Sequence, residues 1–205
     1  MAVLRRRGIR DARVIAAMEV IPREQFIPEA FRTDIYGDHP IPIGFGQTIS
    51  QPWMTAFMTQ VLELRGSEHV LEVGTGCGYH TALLAQLAKS VVTVELITEL
   101  AEVAEQNLRR LGMGQNVVFM CGDGSGGVPQ YAPYDAILVA AGAPETPQPL
   151  LDQLGPGGRL VIPVGSMEDQ ELRLITRRES TFHSETVSLC RFVPLRGSEG
   201  WDSKH

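Results

Sequence analysis

The stretch Glu72-Val73-Gly74-Thr75-Gly76-Cys77-Gly78 sets glycines at alternate positions, beginning two residues after an acid. Glycines so placed allow a tight turn and let a ligand approach the backbone closely. Alone, such a turn fits NAD, FAD, another nucleotide or no ligand. Two further acids extend the pattern. Glu95 closes the run Ser90-Val91-Val92-Thr93-Val94, and Asp123 lies within Gly122-Asp123-Gly124. A carboxylate at a strand end can accept hydrogen bonds from two ribose hydroxyls, an arrangement that NAD would also use. An Asp at the end of the following strand can bind an adenine amino group. Each acid taken singly is equally compatible with a helix cap or a solvated loop. Three acids at the ends of successive strands, on one edge of one sheet, point to a nucleoside ligand.

The glycine spacing narrows the choice. Dinucleotide sites use G-x-G-x-x-G, with a helix N-terminus receiving the pyrophosphate. Here the spacing is G-x-G-x-G. S-adenosylmethionine has no phosphate but carries an α-ammonium, a cation that an acid beside the loop would suit. Glu72, Gly74, Gly76, Gly78, Glu95, Asp123 and Gly124 are therefore the candidate cofactor-binding residues of the central region.

The elements that must hold these residues follow from periodicity. Residues 11–18 read as a helix, interrupted by Pro22, and 26–31 as a short helical or irregular piece. Two prolines and two glycines within 38–46 predict an extended loop without regular structure. Residues 52–64 carry Met54, Phe57, Met58, Val61 and Leu62 at helical spacing. From His69 onward the pattern alternates: strand 70–73, helix 80–88, strand 90–95, helix 100–111 closed by Gly112, strand 116–120 and strand 134–140. A helix bearing Leu150, Leu151 and Leu154 precedes a strand at 159–164, and 172–176 with 186–193 suggests an antiparallel pair. Nearly continuous apolar strands are buried on both faces. The expected fold is α/β, a Rossmann-like doubly wound, mostly parallel sheet with an N-terminal helical extension and a C-terminal antiparallel strand pair. One domain is expected over residues 1–205: a covering segment at 1–65, a cofactor-binding core at 66–165 and C-terminal strands at 166–205.

Composition excludes several classes. The chain has 205 residues, enough for a real core, and a formal net charge of −6, which argues against a nucleic-acid footprint. Arg5-Arg6-Arg7 is a short basic patch best read as a solvated helix end. Three scattered cysteines form neither a zinc spacing nor a disulfide framework, and the histidines show no ligand spacing, so no metal is expected. The apolar runs are too short to span a bilayer, and the N-terminus lacks the order of a signal peptide. The expectation is a soluble, cytoplasmic protein without membrane or nucleic-acid partners, acting as a monomer.

The segment Ile43-Gly44-Phe45-Gly46-Gln47-Thr48-Ile49-Ser50-Gln51-Pro52 resembles the signature of the protein-L-isoaspartate O-methyltransferase family. The glycine-rich stretch, Gly122-Asp123-Gly124, 132–137, 153–165 and 191–195 are similar to that family in the same order, as are 8–11 and 21–26. The resemblance implies methyl transfer from S-adenosylmethionine to the free carboxylate of L-isoaspartyl residues in damaged proteins and peptides. The ester then closes to a succinimide and begins repair. It implies Ser50 as the active-site serine, with Gln47, Thr48, Ile49 and Ser50 lining the cofactor. Cys77, His80 and Gly127 depart from the family pattern of Ser, Gln and a bulky residue.

A carboxyl with a pKa of about 4 is ionised at neutral pH, so its methylation needs no general base. The task is alignment of reacting atoms about 3–3.5 Å apart. Ser50 would orient the acceptor carboxylate; its other reading is a cap for the helix starting near Pro52. Ser125, within Gly122-Asp123-Gly124-Ser125-Gly126-Gly127, superficially resembles a protease nucleophile loop but has the wrong register and setting. Trp53 reads as a packing residue. Methylation of RNA or a small molecule on the same fold, NAD-dependent redox chemistry and a non-catalytic cofactor-binding module are the competing functions.

Overall fold

The computed structural model describes residues 1–32 and 34–201. Helices α1 (Ala2–Arg6) and α2 (Ala12–Val20) open the chain, and two 3-10 turns follow, at Arg23–Phe26 and Glu29–Phe31. Asp11 starts α2 by accepting from the backbone N–H groups of Arg13 and Val14. The basic patch lies at the exposed end of α1, where Arg7 pairs with Asp38 and sits over the Trp53 ring. Trp53 stacks on Phe57 at 5.0 Å, a packing arrangement.

Residues 38–46 are not wholly irregular. Strands β1 (Ile41–Gly44) and β2 (Gln47–Ile49) form an antiparallel hairpin. Ile41, Ile43 and Ile49 alternate inward and are buried, while Pro42, which has no N–H to donate, points out. Gly44, Phe45 and Gly46 all take positive φ in the turn. The prolines suggested a loop, but the alternating isoleucines prevail because a two-stranded sheet leaves edge positions open to proline.

Helix α3 (Pro52–Val61) leads into the main sheet, through β3 (His69–Val73), α4 (Tyr79–Leu87), β4 (Ser90–Glu95), α5 (Thr98–Arg110), β5 (Val117–Cys121), β6 (Tyr134–Val139), α6 (Gln148–Asp152), β7 (Leu154–Gly165), β8 (Gln170–Arg178) and β9 (Thr181–Cys190). The seven strands run in the order β5-β4-β3-β6-β7-β8-β9. Pairings from β5 through β7 are parallel, and β8 and β9 add antiparallel strands. Leu154 belongs to β7 rather than to the preceding helix, which is only five residues long. Gly112 closes α5 at φ +66 and donates to the Arg109 carbonyl.

Alternate strand residues face opposite layers. Val70, Val91, Ala136, Leu138 and Val161 pack against α2, α3 and α4, while Leu71, Val73, Val92, Val94, Ile137 and Val139 face the layer containing Leu150 of α6. Complete burial of each such side chain contributes roughly 1.5–3 kcal/mol. The order of strands reverses direction at β3, between β4 and β6, which is where a doubly wound sheet opens its ligand crevice. No helix among the described residues is long and apolar enough to cross a membrane.

Candidate active site

At that switch point a cleft of about 950 Å³, including its open mouth, lies over the carboxyl ends of β3, β4 and β6. One side is the turn after β3. Its glycines need their freedom: Gly74, Gly76 and Gly78 have φ of +92, +56 and +88. Gly74 donates to the Val94 carbonyl at 2.9 Å, and Asn107 Nδ2 donates to the Cys77 carbonyl at 3.0 Å, which fastens the turn to α5. Glu95 stands at the end of β4. Its Oε2 accepts from Gly76 N at 2.8 Å and its Oε1 from Ile97 N at 3.0 Å, so backbone groups hold the carboxylate with lone pairs to spare. Gly74, Gly76, Glu95 and Gly124 all line the cleft, together with apolar Val94, Leu96 and Ile97. A carboxylate beside an apolar slot and a bare glycine backbone fits the ribose and base of a nucleoside.

Three expected cofactor contacts fall elsewhere. Glu72 does not line the cleft; it is fully buried beneath the turn. Two residues after Val70, it shares that residue's face of β3. Thr81 Oγ1 and Thr93 Oγ1 donate to its Oε2 at 2.5 and 2.7 Å, Thr75 and Thr93 hydroxyls lie 2.6 Å apart, and Oε1 has no partner among the described residues. Burial pushes its carboxyl up to about 7, a rise that the two threonines moderate and the nearby Glu95 reinforces. Glu72 thus supports the turn from below. Gly78 begins α4 and lies against Leu108 and Ala104, where a Cβ would fall 2.7 and 3.2 Å away. Asp123 also lies outside the cleft lining. Its carboxylate accepts from Ser125 N, Ser125 Oγ and Ser198 N at 2.8, 2.6 and 2.7 Å. Partial burial favours the neutral acid, but those hydrogen bonds outweigh it and lower the pKa. Ser125 is fully buried within this network, so it is no nucleophile.

The hairpin supplies a second part of the cleft lining, and its Ile43 abuts the glycine turn, 3.3 Å from where a Gly76 Cβ would fall. Gln47, Thr48, Ile49 and Ser50 all line the cleft, as the family resemblance implies. The residue that starts α3 is Gln51, without a side-chain cap, and the Ser50 hydroxyl has no hydrogen-bond partner among the described residues. The cap reading of Ser50 is therefore not realised. His80 also lines the cleft, with Nε2 2.8 Å from Thr59 Oγ1. Burial depresses its pKa to about 3, so the ring is neutral at ordinary pH. Burial likewise pushes the Cys77 thiol up to about 11 and leaves it protonated. Gly127 is explained by Gln153, whose amide occupies the space a side chain would need while its Oε1 accepts from Val128 N at 2.8 Å. His69 stacks on Tyr134, and His39 is exposed beside Asp34; His205 lies outside the described residues.

Two features were met by the sequence reading only through family likeness. A strap at 193–201 closes the third side: Gly142 N donates to Val193 O and Leu195 N to Gly142 O, both at 2.8 Å, and Trp201 Nε1 donates to Gly142 O at 3.0 Å. Only the similarity of 191–195 hinted at it. The second is Arg23, buried behind Ser50, with Nη2 donating to the Ser50 carbonyl at 2.8 Å and Nε to the Ile35 carbonyl at 3.0 Å. Its sequence neighbourhood resembles the family, but no local signal assigns it a partner.

Sheet order, glycine turn and strand-end acid define a methyltransferase fold of the S-adenosylmethionine-dependent class. A family model, Protein-L-isoaspartate(D-aspartate) O-methyltransferase, matches residues 1–200. The chain belongs to this family. A protein-L-isoaspartate O-methyltransferase of Methanoculleus marisnigri is 50% identical over 201 residues, covering 98% of this chain and 91% of that one. One from Brucella anthropi is 53% identical over 197 residues, covering 95% and 90%. Among solved structures, a protein-L-isoaspartate O-methyltransferase superposes with a TM-score of 0.85 at 31% identity; the match covers 97% of this chain and 65% of that one. A Plasmodium falciparum structure assigned to the same enzyme family, in complex with S-adenosyl-L-homocysteine, gives 0.80 at 25% identity, covering 95% of each chain.

Proposed function

We propose that this chain, as a single methyltransferase domain, transfers a methyl group from S-adenosylmethionine to the free carboxylate of L-isoaspartyl residues in proteins and peptides. The observation that carries this reading is the shared cleft, which Ser50 after the hairpin and Glu95 at the end of β4 both line. Glu95 would hold the ribose, Gly74 and Gly76 would let the cofactor's amino-acid part lie on the backbone, and Gly124 would floor the base. Bound S-adenosylmethionine supplies an electrophilic methyl group on a sulfonium. The chain's own work is then orientation. Ser50 Oγ donates to one oxygen of the acceptor carboxylate and leaves the other free to attack in line. The neutral His80 ring and the protonated Cys77 thiol place no further charge beside the reacting atoms.

Three free cysteines suit a reducing compartment, which supports action in the cytoplasm on protein substrates. The test uses labelled S-adenosylmethionine and two peptides differing only in one isoaspartyl or aspartyl linkage. Base-labile label is expected on the isoaspartyl peptide alone. Cofactor binding without label on either peptide would move the acceptor to another class. Ser50→Ala should lower turnover about tenfold, the worth of one hydrogen bond to a charged group; unchanged turnover would remove Ser50 from the mechanism.

A further inference from the structure

Arg23 is 1% exposed, and although burial lowers its pKa, a guanidinium stays protonated at neutral pH. Its Nη2 and Nε reach two backbone carbonyls, Ser50 and Ile35, and its guanidinium lies 5.1 Å from the Tyr79 ring centroid. Nη1 has no partner at all among the described residues. No carboxylate stands within ion-pair distance of it there. The next residue, Glu24, turns away to accept from the Tyr36 hydroxyl at 2.8 Å, and Asp34 faces His39. The other groups around it, Tyr79 and Cys77, are held in their neutral forms by burial. A buried cation without a counter-ion is costly, and its field is poorly screened.

Two cations stand at the cleft: the exposed Arg196 of the strap, among its lining residues, and the buried Arg23 behind Ser50. Arg23 backs Ser50 directly, and Tyr79 beneath its guanidinium lines the same space. Among the described lining residues the single acid is Glu95, at the end of β4, where backbone N–H groups of Gly76 and Ile97 hold it. We infer that Arg23 is a positioning residue for the acceptor: it fixes the Ser50 backbone and lends the acceptor side the positive field that holds an ionised carboxylate at the Ser50 hydroxyl. The isoaspartyl carboxylate is then the counter-ion that the fold itself omits. The inference rests on the acceptor reading given above for Ser50. It gives the guanidinium charge a role at a place where the backbone hydrogen bonds alone would need only a neutral donor.

The experiment separates charge from scaffolding. With the full chain saturated by S-adenosyl-L-homocysteine, calorimetry measures the affinity of two peptides, one isoaspartyl and one with its free α-carboxylate replaced by a carboxamide. The wild-type protein should prefer the carboxylate. Arg23→Gln, which keeps a donor and loses the charge, should weaken the carboxylate peptide by about tenfold or more, the low end of what a desolvated charge contact is worth. Its affinity for the carboxamide peptide should fall less, by the part owed to the Ser50 backbone alone, its affinity for S-adenosyl-L-homocysteine should not change, and Arg23→Lys should recover part of the preference. Equal weakening of both peptides in Arg23→Gln, or an intact carboxylate preference, would overturn the inference. Should Arg23→Gln fail to bind S-adenosyl-L-homocysteine, Arg23→Lys decides: carboxylate preference retained supports the field, and preference lost with the charge in place overturns it. A wild-type protein that neither methylates nor binds the isoaspartyl peptide would instead sink the acceptor reading itself.

Discussion

The cofactor side of the cleft is drawn from adjacent parallel strands and the turns that leave them, with backbone hydrogen bonds such as Gly74 to Val94 and Gly76 to Glu95 holding the geometry. The acceptor side is collected from segments remote in sequence. A 3-10 turn contributes Arg23, a hairpin contributes Ser50, α3 and α4 contribute Thr59 and His80, and side-chain hydrogen bonds join them. The first is rigid because the sheet is rigid. The second is rigid only as far as a few buried polar side chains keep it so. On the proposed assignment, the cofactor meets the wall that sheet topology dictates, and acceptor choice falls to the wall assembled by side chains.

Several measurements would break or sharpen that contrast. The largest effect is expected from Gly78→Val. A Cβ there meets Leu108 at 2.7 Å and the Ala104 backbone at 3.2 Å, at φ +88, so stability should fall by about 3 kcal/mol or more in denaturant titration. A tolerated valine would show that the cofactor wall is less rigid than the sheet suggests. Next, Glu95→Gln should weaken S-adenosyl-L-homocysteine by about 30-fold, ~2 kcal/mol for charge-assisted hydrogen bonds, with peptide affinity spared. Loss of both ligands together would mean the two sides are not separable.

Glu72 sharpens the contrast through pH. Its folded pKa is raised from 4.5 to about 7, so between those values the native state holds a proton that the unfolded chain releases. Stability from this group is therefore present below pH 4.5 and lost as pH rises through about 7, by roughly 3 kcal/mol. Glu72→Gln should flatten that slope in melts taken across the range; an unchanged slope would place the titration elsewhere. His80 has the opposite sign: its folded pKa of about 3 lies below the ordinary 6.5, so stability falls as pH drops from 6.5 toward 3. The smallest effect belongs to Asp123→Ala, about 1 kcal/mol. Hydrogen exchange should quicken in the strap near Ser198, which Asp123 accepts from, and remain slow in β3 and β4.

Legibility in the sequence follows the same division. Glu95 and Gly74 could be placed because an apolar strand ending in an acid or a glycine reports its own geometry over a few residues. Glu72 could have been assigned inward by parity with Val70, yet an acid beside a glycine turn reads as a ligand until its face is counted. The hairpin at 41–49 was obscured because proline content outweighed the short isoleucine alternation. The strap was legible in part, through the family likeness of 191–195, whereas its bonds to Gly142, the partners of Arg23 and the Thr59–His80 contact each depend on a group brought near only by the complete fold.

The strap has a consequence for folding. Val193, Leu195 and Trp201 bond to Gly142, and Ser198 bonds to Asp123, so the cleft acquires its third wall only after β7, β8 and β9 have been added to the sheet. Strand pairings of such sequence separation form late and carry a loop-closure cost. During synthesis the glycine turn emerges well before the wall that completes its pocket. Competence to hold ligand is then a late event in maturation, and ligand present at that moment draws the population toward the closed form by mass action.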